Sequence, residues 1–88
     1  MTLADINNSE MDYTDKLEAY MDHFARFGNG RTVQIRCAWT FLTDVTETKK
    51  QFVDACVELG IHPKTARIQM NQAIKENAEM DEPWEEKN

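Results

Sequence analysis

The chain has 88 residues, enough for one small domain. Apolar residues make up 41% and charged residues 30%, values of a globular chain rather than a disordered or membrane-embedded one. The net charge of −6 is uneven: residues 1–30 carry −4, residues 31–75 carry +3 and residues 76–88 carry −5, so a basic middle lies between two acidic ends.

No apolar run reaches the length of a membrane span, and the first ten residues lack the basic and apolar blocks of a signal peptide, so a cytoplasmic protein is expected. Cys37 and Cys56 lie among apolar neighbours, where reduced thiols behave as small hydrophobes, and neither shares metal-ligand spacing with His23 or His62. No metal and no cofactor is expected. A domain of this size buries only about 60% of its unfolded surface, which makes a homodimer an expectation.

Residues 1–8 show no periodicity and are expected to be disordered. A helical domain is expected over 9–78. Ser9 has the position of an N-cap, with Glu10 and Asp12 suited to the positive end of a helix dipole. Tyr13, Leu17, Tyr20, Met21, Phe24 and Phe27 then recur at three- and four-residue steps as one apolar stripe. Gly28-Asn29-Gly30 is the expected stop.

Residues 31–43 fit two templates. Val33, Ile35, Cys37, Trp39 and Phe41 alternate as in a strand, whereas Ile35, Ala38, Trp39 and Leu42 share one helical face. A lone strand would have no partner in an otherwise helical chain, which favours the helix; a strand would need a second subunit, in a ribbon-helix-helix dimer.

Asp44 or Thr46 is positioned to cap the next helix, whose buried face is marked by Phe52, Ala55, Cys56 and Leu59. Gly60 ends it, Ile61 packs back, and Pro63 takes the first position of a last helix running to about Asn77, with Ala66, Met70, Ala73 and Ile74 inward. Residues 79–88 read as a flexible acidic tail, and Trp84 within it is suited to docking in a basic, apolar groove. The fold class is thus all-α: a compact four-helix domain with a C-terminal hairpin over 47–75.

Residues 52–70, Phe-Val-Asp-Ala-Cys-Val-Glu-Leu-Gly-Ile-His-Pro-Lys-Thr-Ala-Arg-Ile-Gln-Met, resemble the helix-turn-helix motif of DNA-binding proteins. Ala55 and Leu59, small Cys56, Gly60 in the turn, Ile61 after it and small Ala66 agree with that pattern; Gln69 departs from it, at a place where the motif has an aliphatic residue. The stretch from Thr48 to Gln69 is also similar in texture to small helical domains encoded by phages and plasmids.

The resemblance implies that the second helix enters the major groove, presenting Lys64, Thr65, Arg67, Ile68, Asn71, Gln72 and Lys75, while Lys49 and Lys50 hold phosphates. Asn and Gln pair bidentately with adenine, and Arg or Lys with guanine. The leading expectation is a small sequence-specific transcriptional regulator that binds DNA.

The acidic ends carry a second expectation, a non-catalytic inhibitor that imitates DNA or blocks a host protein through Asp12, Asp15, Glu18, Asp22 and Trp84. There is no glycine-rich phosphate loop, no serine with matching histidine and acid, and no paired-carboxylate or metal-ligand signature, so no enzyme is expected.

Overall fold

A threonine starts the first helix of the chain. In the computed structural model, which describes residues 2–87 and the side chains of residues 2–77, Thr2 and Asp5 form a reciprocal capping box: Thr2 N–H donates to Asp5 Oδ2 at 3.1 Å and Asp5 N–H donates to Thr2 Oγ1 at 3.2 Å. The Thr2 N–H bond to the carboxylate, with the Thr2 side chain beside it, holds Asp5 below its usual pKa.

Helix α1 spans Leu3–Asn8 and buries Ile6 completely. Over residues 2–8 the expectation of disorder is therefore corrected: so few apolar residues set no sustained period, but Ile6 and Leu3 find a core to pack on. Ser9 closes α1 instead of opening the next helix, its hydroxyl donating to the Ile6 carbonyl at 2.8 Å.

Helix α2 spans Tyr13–Ala25 after Asp12 and buries Leu17, Tyr20 and Met21. The stripe ends sooner than its spacing suggests: Phe27 lies past the helix end and is 73% exposed. Gly28 takes φ of +84°, the left-handed conformation that turns the chain, as expected from Gly28-Asn29-Gly30.

Residues 31–42 are helical, as α3 (Arg31–Leu42). Its buried residues are Ile35, Ala38, Trp39 and Leu42, the helical-spacing set, and both α2 and the last helix pack on it. The strand alternative falls because its alternating residues do not share a side: Ile35 and Trp39 are buried, while Phe41 is 42% exposed.

A 3-10 turn, Thr43–Val45, leads into helix α4, Lys49–Glu58. The cap of α4 is Thr48, not Asp44 or Thr46: its hydroxyl accepts from Gln51 N–H at 3.1 Å, while Gln51 Oε1 accepts from Glu47 N–H at 2.8 Å. Thr46 is spent elsewhere. Its hydroxyl donates to the Leu42 carbonyl at 2.6 Å, so the 2.6 Å contact with Tyr13 is one in which the phenol donates.

Helix α4 buries Phe52, Val53, Ala55 and Cys56. Its end carries both bonds of a Schellman closure, Ile61 N–H to the Cys56 carbonyl at 2.9 Å and Gly60 N–H to the Val57 carbonyl at 3.0 Å, with Gly60 at φ +85° and Ile61 buried. Helix α5 begins at Pro63 and is helical to Lys87, past the end expected near Asn77. The acidic tail at 79–88 and the docking role of Trp84 concern side chains outside the described residues.

Five α-helices and no strand are present among the described residues. α3 and α4 each pack against α2 and against α5, so the acidic helix and the last helix are separated by the middle pair. One core unites them, with Trp39 and Phe52 in an edge-to-face contact at 5.1 Å. The Cα radius of gyration is 13.4 Å.

Candidate nucleic-acid interface

Both helices of the 47–75 segment begin with bases where the helix dipole favours acids. Lys49 and Lys50 open α4 and Lys64 follows Pro63 in α5, and neither first turn contains an acid. A cation there opposes the partial positive charge of the unpaired amides, at a cost of about 0.3–1 kcal/mol each at low ionic strength. Helix stability does not account for these lysines.

The N-terminus of α5 is capped by an imidazole: Lys64 N–H donates to His62 Nδ1 at 3.1 Å, and Ala66 N–H donates to the His62 carbonyl at 3.0 Å. Pro63 needs no partner because it has no N–H. The turn and the first turn of α5 are thereby held in one geometry.

Where α4 and α5 diverge, a cleft of about 490 Å³ is lined by Lys49, Lys50, Val53, Asp54, Arg67, Met70 and Asn71. Its floor is apolar, since Val53 and Met70 belong to the core. Its walls carry three bases against one acid, and that acid, Asp54, lies 3.4 Å from Lys50 Nζ. This exposed pair holds little energy, so Lys50 is readily surrendered to a competing anion.

Four of the nine candidate DNA-contacting residues, Lys49, Lys50, Arg67 and Asn71, thus converge on one cleft. Lys64, Ile68 and Lys75 are exposed on α5, with Ile68 53% accessible, but they do not line it. Gln72 is engaged on the α3 side: its Nε2 donates to Glu76 Oε1 at 3.2 Å, and the same oxygen accepts from Arg36 Nη1 at 3.1 Å. Thr65 is half-buried.

Three residues of the cleft, Val53, Asp54 and Met70, are not among those candidates. Asp54 is legible in the chain as the residue four after Lys50; Val53 and Met70 carry no polar signal and become visible only when two helices meet.

Of the acidic candidates, Asp15, Glu18 and Asp22 line a shallow groove of about 520 Å³ on α2 together with Met11 and Ala19. Asp12 precedes the helix without a side-chain capping bond, and Asp22 pairs with Arg26 at 3.3 Å. Trp84 is outside the described side chains.

Burial pushes the Cys56 thiol up to about 12 and raises the half-buried Cys37 as well, where the Arg36 charge opposes the shift and Glu76 adds to it, so both thiols are poor nucleophiles. Among the described residues no cluster of histidine, cysteine and carboxylates is placed to hold a metal, and no helix is long and apolar enough to cross a membrane. The chain matches no known protein-family model, and no curated protein or solved structure is significantly similar to it.

Proposed function

We propose that the chain is a small sequence-specific DNA-binding regulator of the phage and plasmid type, and that α4, the Gly60 turn and α5 act as its helix-turn-helix unit. The observation that carries this reading is the convergence of Lys49, Lys50 and Arg67 with Asn71 on one cleft. Lysines at two helix N-termini suit phosphate oxygens, and Asn71 has the donor and acceptor pair that adenine presents in reverse. The acidic face of α2 lies across the middle helices from α5, which limits its repulsion of a duplex bound there.

The test is a gel-shift series against random and selected duplexes at rising salt. Affinity falls steeply with salt, and the K49A/K50A double variant lowers the slope of log affinity against log salt by about 2, one unit for each phosphate no longer neutralised. Asn71→Ala weakens only the preferred sequence, by about 1–3 kcal/mol. Absence of binding at low salt overturns the reading.

A second reading is supported by the acidic groove on α2: an inhibitor that binds a basic surface of a host protein through Asp15, Glu18 and Asp22. A D15N/E18Q/D22N variant then loses capture of that partner while retaining the helical spectrum. Capture unchanged by the triple substitution removes it.

A further inference from the structure

Lys64, Ile68 and Lys75 lie outside the cleft between α4 and α5. Together with Asn71 they recur along α5 at steps of four, three and four residues, so they share one face of the helix. All four are exposed, and the buried Ala66, Met70 and Ala73 occupy the face opposite them. The outward stripe is free of acid: from Pro63 to Lys75 the helix carries Lys64, Arg67 and Lys75 and no aspartate or glutamate.

Ile68 stands in the middle of this stripe and is 53% exposed. A lone exposed aliphatic residue is ordinary on a protein surface. Here its neighbours on the face are Lys64, Asn71 and Lys75, and among the described residues it is the one large exposed hydrophobic of α5, so the stripe offers a protein partner no apolar patch. A DNA duplex presents the combination that fits: phosphates for the lysines and, in the major groove, a single apolar group, the thymine C5 methyl.

The rise of the helix sets the register. Lys64 and Lys75 stand about 16–17 Å apart along the axis, enough to reach phosphates on both edges of a groove about 12 Å wide, with Ile68 and Asn71 between them. Ile68 and Asn71 are separated by about 4.5 Å of rise, close to the roughly 3.4 Å between stacked base pairs. We propose that Ile68 is a specificity-determining residue that packs on the C5 methyl of a thymine, on the base pair next to the adenine that Asn71 reads. This deepens the DNA-binding reading and rests on it.

The test takes a duplex selected by the full chain from a random pool and replaces its thymines one at a time by deoxyuridine, which keeps the pairing edge and lacks the methyl. For the wild-type chain one replacement weakens binding about fourfold, as expected for one methyl group no longer taken out of water. I68A, with an unchanged helical spectrum, binds the thymine and uracil duplexes equally and retains the wild-type salt slope, because no phosphate contact is lost. N71A loses the preference for the neighbouring adenine and keeps the sensitivity to uracil. A wild-type chain indifferent to every replacement overturns the proposal, as does an I68A chain that still distinguishes thymine from uracil; in both cases salt-dependent binding to duplex leaves the regulator reading standing. Absence of binding at low salt overturns both.

Discussion

Tyr13 shows how one side chain acquires a role that its place in a stripe does not announce. At the sequence level it is the first apolar residue of α2; in the fold it is half-buried and its hydroxyl donates to Thr46, 33 positions away. Burial pushes its phenol above the usual 10.0, and burial also raises Tyr20. A tyrosine whose folded pKa exceeds its unfolded value binds more protons in the folded state. The stability it contributes is full below about pH 10 and is lost as pH rises through the folded value. Thermal unfolding followed from about pH 8 upward therefore shows a decline in Tm beginning near pH 10, and Tyr13→Phe makes that decline shallower. At neutral pH the same variant costs about 0.5–1.5 kcal/mol, the net value of one hydrogen bond.

At the scale of elements, local punctuation carries the 47–75 segment. Gly60 at φ +85° meets nothing within 4 Å of an added Cβ, so backbone strain alone decides the effect of a side chain there. Gly60→Ala costs about 1–2 kcal/mol, the penalty of the left-handed region, whereas Gly30→Ala, at φ −70°, costs less. Thr48→Ala removes the cap of α4 and costs about 1 kcal/mol, while Thr48→Ser retains most of it. Urea unfolding of the four variants checks the ranking. Equal losses at Gly60 and Gly30 contradict the strain account. The Thr-x-x-Gln pattern at Thr48 and Gln51 is readable in the chain; Asp44 and Thr46 are cap-type residues too, and only backbone position separates the three.

For the whole molecule the thin core sets the margin. Phe52 is completely buried and its ring meets Trp39 edge to face, joining α4 to α3. Phe52→Ala costs about 3–5 kcal/mol, a large share of the roughly 5–15 kcal/mol that stabilises a small domain. The variant loses cooperative thermal unfolding or melts far below wild type; a shift of only a few degrees shows that α4 does not depend on this contact. Lys49, Lys50 and Asp54 ride on α4, so their placement is lost with the packing.

What the sequence determined by itself is what neighbours along the chain decide: the helical period of α2, the stops at Gly28 and Gly60, the start at Pro63, and the inward faces of α4 and α5. These signals act within one or two turns, where hydrogen bonds, φ preferences and side-chain spacing are local. The tertiary structure decided the rest. Leu3–Asn8 is too short to stand as an isolated helix and depends on burying Ile6. Residues 31–42 fitted both the strand and the helix template, with the helical context favouring the helix, and α2 and α5 supply the surface on which Ile35, Ala38, Trp39 and Leu42 are buried. Nine residues implied by the helix-turn-helix resemblance were separated into four that share a cleft and five that do not, because the packing of α4 on α5, not their sequence, sets which side chains converge.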